Sequence, residues 1–196
     1  MESKNLKLRI VREGFTDSAK LKNSIIEDQN ILDAIIDFGS ILSKSVISGN
    51  KVLIFGNGGS AADAQHMAAE MLGTYVDKKR PFPAIAITVD SSVITAISND
   101  IGYDAIFERQ IEALGMKGDI AIGITTSGNS KNIVKGLKIA KDKGMITAAL
   151  TGKNVSQLSD ITDYLISIPS TNTPRIQEVH GTIIHILCDL IRNALK

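Results

Sequence analysis

One stretch, KVLIFGNGGSAADAQHMAAE from Lys51 to Glu70, restricts the fold more than any other part of the chain. The apolar run Val52-Leu53-Ile54-Phe55 sits between Gly49-Asn50 and Gly56-Asn57-Gly58-Gly59, the pattern of a short strand buried on both faces of a parallel sheet. Gly56, Gly58 and Gly59 admit positive φ and let a ligand come close to the main chain. Ser60 is placed to cap a helix running to about Tyr75, and a helix start with free N–H groups favours phosphate. The turn GNGGS fits neither the P-loop nor the dinucleotide fingerprint, which weighs against ATP and NAD. On that helix His66 and Glu70 are four apart and lie one above the other on one face. Taken alone, such a pair is most often a solvated one.

The chain has 196 residues, 43% of them hydrophobic, enough for one well-buried domain and short for two. The expected organisation is an N-terminal helical extension over residues 1–50 and one α/β domain over residues 51–196. Its 22 basic and 21 acidic residues are mixed along the sequence, so there is no electrostatic footprint for nucleic acid or an anionic membrane surface. Phosphate specificity must therefore come from local geometry. The single cysteine, Cys188, excludes an internal disulfide framework, fits a reducing compartment and lies in an apolar run as a core residue. The N-terminal MESKNLKLRIVREGF has scattered charges and no apolar h-region, and no run approaches the length of a membrane span. The expected compartment is the cytoplasm.

From about Asp17 to Ser48, apolar residues including Leu21, Ile25, Leu32, Ile35 and Leu42 recur at helical spacing, as one helix or two joined near Asp28-Gln29. This load either covers the sheet or packs in part against another copy of the chain. The connector Lys78-Lys79-Arg80-Pro81 reads as a solvated loop, with phosphate contact the lesser reading. Ala84 to Thr88 is a second strand, followed by a helix capped by Asp90 or Ser91 and broken at Asn99-Asp100 with Gly102. Phe107 to Leu114 is a short helix.

Ile120 to Ile124 is a third strand, and it runs into Thr125-Thr126-Ser127-Gly128-Asn129-Ser130 and a helix to about Lys143. Thr125, Thr126, Ser127 and Ser130 each offer an O–H to a phosphate oxygen, beside the N–H groups of the helix start. Thr147 to Thr151 and Tyr164 to Ile168 complete five strands, with a short helical piece near Val155 to Asp160. Strands alternating with helices imply a doubly wound parallel sheet flanked by helices, with ligands at the carboxyl ends of its strands. In the last helix, Thr173 is the expected cap and Pro174 the first residue. Gln177 and His185 are about 80° apart round that helix, and Glu178 is closer to the His185 face. Spacing leaves open which of them partners His185. His180 lies about 140° away and cannot share one small site with His185 on a straight helix.

GNGGSAADAQHMAAE, AISNDIGYD, TTSGNS with its helix, and TPRIQEVH followed by His185 together resemble the phosphoheptose isomerases (sedoheptulose 7-phosphate isomerases) of the sugar isomerase (SIS) fold, a flavodoxin-like α/β architecture. The match runs from about Lys51 to Leu190. The resemblance implies a cytoplasmic homotetramer with active sites between subunits, converting a phosphorylated seven-carbon sugar for bacterial surface glycans such as lipopolysaccharide or capsule, without nucleic acid or membrane partners. It implies Asn57 and Ser60, with Gly58 and Gly59, on the sugar; Thr125, Thr126, Ser127 and Ser130 around the phosphate; and Asn99, Asp100 and Gln177 on the substrate chain. Glu70 and His185 become the catalytic acid/base pair, and His66, Glu70, Gln177 and His185 the ligands of one zinc ion per subunit. On this ground Gln177, not Glu178, accompanies His185. Two departures from the family stand out: Thr125 where serine is usual, and Gly73-Thr74 where many members carry a basic residue. Similar SIS tetramers that bind the bacterial replication initiator have lost the glutamate and the histidine; both are present here.

Overall fold

The computed structural model describes the backbone of residues 2–196 and the side chains from Lys4 onward. Five strands, β1 (Val52–Gly56), β2 (Ala84–Ala86), β3 (Ile120–Thr125), β4 (Ile146–Thr151) and β5 (Tyr164–Ser167), form one sheet in the order β2-β1-β3-β4-β5. All four pairings are parallel. β1 and β3 are buried along their whole length, as their uninterrupted apolar runs require.

Seven α-helices complete the described chain: α1 (Glu2–Ile26), α2 (Gln29–Ile47), α3 (Gly59–Leu72), α4 (Ser91–Asp100), α5 (Ile106–Leu114), α6 (Lys131–Asp142) and α7 (Thr173–Ala194). One core layer packs α2, α3 and α7 on the sheet through Phe38, Leu42, Met67, Met71, Ile184 and Leu187. The other packs α5 and α6 through Phe107, Ile111, Ile133 and Leu137. β1 sends the chain outward to β2 and β3 sends it outward to β4, so winding reverses between β1 and β3. A crevice at the carboxyl ends of these two strands is the expected ligand position.

Of the two readings of the N-terminal apolar load, the one with two helices joined near Asp28 is what forms: the Asp28 carboxylate caps α2 by accepting from the N–H groups of Asn30 and Ile31. α2 joins the sheet's own core and covers β5 and α7, and the end of α1 reaches the same core through Ile25, with Leu21 packed against it. Other boundaries differ from the sequence reading. α1 also starts well before Asp17, and Leu6, Ile10, Val11 and Phe15 on its first half remain 50–78% exposed. Val155 to Asp160 forms hydrogen-bonded turns in place of a helical piece. No helix among the described residues is long and apolar enough to cross a membrane.

Candidate active site

The loops after β1 and β3 meet across the crevice and enclose a pocket of about 290 Å³, lined by Asn57, Gly58, Gly59, Ser60, Thr125, Thr126, Ser127 and Ser130, with Thr173 and Gln177 from the start of α7. Gly58 takes φ +56, and it precedes α3 in the place expected for Ser60. Only glycine holds that backbone cheaply, so α3 starts earlier than a serine cap allows, and Ser60 is buried inside its first turn. Gly56 and Gly59 do not adopt positive φ. Instead a Cβ at Gly56 would meet the Ser60 backbone, and one at Gly59 would meet the Gln177 amide. The starts of α3, α6 and α7 at the pocket have no side-chain cap, nor has that of α5 away from it, whereas α2 and α4 are capped by Asp28 and Asp90. Helix starts without a side-chain cap leave N–H groups for an anion.

The hydroxyls divide their work. Thr125 is buried, and its Oγ1 accepts from the Gly128 N–H at 3.3 Å while lying 3.5 Å from Ser127 Oγ and 3.4 Å from Ser130 Oγ. It organises the loop from inside, and Ser127 is the exposed hydroxyl. Gly128, at φ +70, has no room for a Cβ because the Asn154 carbonyl sits there. The Asn57 amide, expected on the sugar, is already engaged: its Oδ1 accepts from Asn132 Nδ2 at 2.9 Å and from the Tyr103 hydroxyl at 3.0 Å. Asn132 carries no motif signal, and Tyr103 lies inside the AISNDIGYD block, where only Asn99 and Asp100 are assigned a role.

Further along the same helices lies a second group. His66 Nε2 is 3.2 Å from Glu70 Oε1, the i,i+4 geometry of α3. α7 brings His185 to them, edge-on to His66 with ring centroids 4.7 Å apart. One donor atom from each of His66, Glu70 and His185 lies within 4.8 Å of the others. Two imidazoles and a carboxylate are the donor set that suits a zinc-like divalent cation with an open position. The Tyr75 ring stands edge-on to His185 with centroids 5.5 Å apart, its hydroxyl donating to Asp189 Oδ1 at 3.1 Å and its face covered by the Arg192 guanidinium. The Asp189 carboxylate pushes the Tyr75 hydroxyl above its ordinary pKa. Tyr75 carries no motif signal; its role emerges only from packing.

Gln177 lines the pocket from the first turns of α7. Its amide lies against Gly59, seven residues or about 10 Å along α3 from His66, and it faces the pocket. Glu178 is ion-paired to Arg175 at 2.8 Å. His180 is fully buried with Nε2 3.4 Å from the Thr151 carbonyl oxygen, and desolvation lowers its pKa to about 4. Burial pushes the Cys188 thiol up to about 12, consistent with a core residue and not a nucleophile. Asn99 and Asp100 are exposed at the end of α4, hydrogen-bonded to each other at 2.8 Å and outside the pocket lining. Lys78, Lys79 and Arg80 are exposed, and Arg80 donates to the Ile47 carbonyl at 2.9 Å.

Residues 15–152 match the SIS domain family. The phosphoheptose isomerase of Aquifex aeolicus is 50% identical over 184 residues, covering 94% of this chain and 95% of the relative. Two solved phosphoheptose isomerases superpose over nearly the whole chain. That of Francisella tularensis has a TM-score of 0.90 at 36% identity, and that of Neisseria gonorrhoeae 0.87 at 38%, each match covering 95% of this chain and 98% of the other. The chain belongs to the phosphoheptose isomerases of the SIS domain family, and it is an isomerase.

Proposed function

We propose that the protein interconverts D-sedoheptulose 7-phosphate and D-glycero-D-manno-heptose 7-phosphate through an enediolate, as a step toward heptose for bacterial surface glycans. The observation that carries this reading is that α3 and α7 place the pocket at their first turns and the His66, Glu70 and His185 group further along. From Ser60 to His66 is six residues, about 9 Å of helix, a distance that an extended sugar chain with a terminal phosphate can bridge. The phosphate binds among Ser127, Ser130, Thr126 and the uncapped helix starts; Thr125 supports that loop from beneath.

Aldose–ketose conversion moves one proton between C1 and C2 and another between O1 and O2. Glu70 takes the proton from C1 and returns it at C2, and His185 carries the proton between the oxygens and assists ring opening. The Tyr75 ring and the Asp189 and Arg192 side chains behind it hold the His185 imidazole in place. His66, Glu70 and His185, with Gln177 as the fourth ligand, would hold zinc, which when bound supplies positive charge to the substrate oxygens. Gln177 contacts the substrate between phosphate and reacting carbons.

The working unit is a homotetramer with its active sites between subunits. Exposed apolar residues on α1 fit burial against another copy, and Asn99 and Asp100, outside the pocket of one chain, fit contact with substrate in the assembly. Purified protein incubated with sedoheptulose 7-phosphate, metal-free and zinc-loaded, should form the aldose as followed by NMR, faster with zinc. Absence of the aldose in both arms refutes the reading; turnover of a different ketose phosphate alone would move the substrate.

A further inference from the structure

The parallel ladder between β1 and β3 ends at Gly56 and Ile124. Beyond that point no strand pairing sets the distance between the glycine loop and the hydroxyl loop, although a phosphate held by both needs it set. The Asn57 and Asn132 amides bridge the gap reciprocally: Asn57 Nδ2 donates to Asn132 Oδ1 at 2.9 Å, and Asn132 Nδ2 donates to Asn57 Oδ1 at 2.9 Å. Asn132, in the first turn of α6, is only 3% exposed, and its Oδ1 also accepts from the Ile133 N–H at 3.0 Å. α3 and α6 lie on opposite faces of the sheet, so this pair spans the crevice from one layer to the other.

A third element closes the arrangement. The Tyr103 hydroxyl donates to Asn57 Oδ1 at 3.0 Å, filling the second lone pair of that oxygen. Tyr103 sits in the 3-10 turn Tyr103–Ala105 just after α4, and its neighbour Asp104 is tied to α6 by Lys135 at 2.8 Å. We infer that Asn132 and Tyr103 are positioning residues that act through Asn57, a clasp that sets the spacing of the two loops and thereby the affinity of the site for phosphate. The inference rests on the reading that this pocket takes the substrate phosphate.

The test uses the full-length protein, with inorganic phosphate as a calorimetric probe and steady-state kinetics on the phosphosugar alongside. Asn132→Asp keeps the shape and the acceptor but replaces the donor to Asn57 with a second acceptor. It should weaken phosphate binding and raise KM about tenfold, with kcat changed by less than about threefold. Tyr103 is 57% exposed, so Tyr103→Phe keeps the fold even if Asn132→Asp does not, and it should weaken phosphate about threefold. Combining Asn57→Ala with Asn132→Ala should cost no more phosphate affinity than the worse single change, because the two act as one unit. Folded variants with wild-type phosphate affinity, additive losses in the double variant, or a wild type that does not bind phosphate would each overturn the clasp. A protein that binds phosphate and responds to these changes but leaves the heptose untouched would overturn the proposed function and leave the clasp standing.

Discussion

The two ends of the α3–α7 pair are built in contrasting ways. At the first turns, the pocket is made of backbone donors and short hydroxyls, with the starts of α3, α6 and α7 uncapped around it. Further along, His66, Glu70 and His185 are long side chains meeting across two helices, with Tyr75 edge-on to His185. The first end suits a fixed charge that does not change during reaction, since N–H and O–H groups donate to phosphate at any pH near neutrality. The second suits proton movement, which needs groups that gain and lose protons. On the proposed function, holding the substrate and transforming it are separable along one pair of helices.

That separation can be broken most decisively at Glu70 and His185. Glu70→Gln and His185→Asn should each lower kcat about 100-fold or more while phosphate affinity stays within about threefold; a parallel loss of phosphate binding would erase the distinction. His180, buried between the two ends of α7, contributes to stability and not to either task. Its folded pKa, about 4, lies below its ordinary 6.5, so the unfolded chain binds the proton first on acidification. Its contribution is complete above about pH 6.5 and is lost as the pH falls toward 4. Denaturant titrations should show about 2 kcal/mol of stability lost between about pH 7 and pH 5, a loss that His180→Gln removes; an identical pH slope in the variant would assign the loss elsewhere.

Smaller effects sharpen the pocket side. Ser127→Ala should raise KM and weaken inorganic phosphate about tenfold with kcat nearly kept, and a kcat loss larger than the KM rise would place that hydroxyl with the chemistry. The smallest effect belongs to the connector: Lys78→Ala and Lys79→Ala should leave KM within about twofold, as exposed charges screened by salt do. A fivefold rise, measured at low and physiological salt, would bring the connector into the substrate path.

Much of this was legible in the sequence wherever the signal was local. The apolar runs of β1, β3 and β4 lie within one residue of their structural limits, because strands buried on both faces leave an unbroken signature. The hydroxyl-rich turn after β3 and the glycine turn after β1 announced themselves by composition. Residue preference favours Ser60 as the cap, while the backbone uses the special φ of Gly58. The first half of α1 gives no helical signal in the sequence because Leu6, Leu8, Ile10, Val11 and Phe15 form no single stripe, and about half or more of each is exposed.

What the sequence determined by itself was the order of strands, turns and helices, and the pairing of His66 with Glu70 one helical turn apart. Only the tertiary structure decided that His185 reaches that pair, that Gln177 turns to Gly59 and the pocket, and that Asn132 and Tyr103 close on Asn57. Helical periodicity says which residues share a face of their own element. It says nothing of how far a second helix slides along the first, and that offset is set by side-chain packing in the layer of Met67, Met71, Ile184 and Leu187 beneath them.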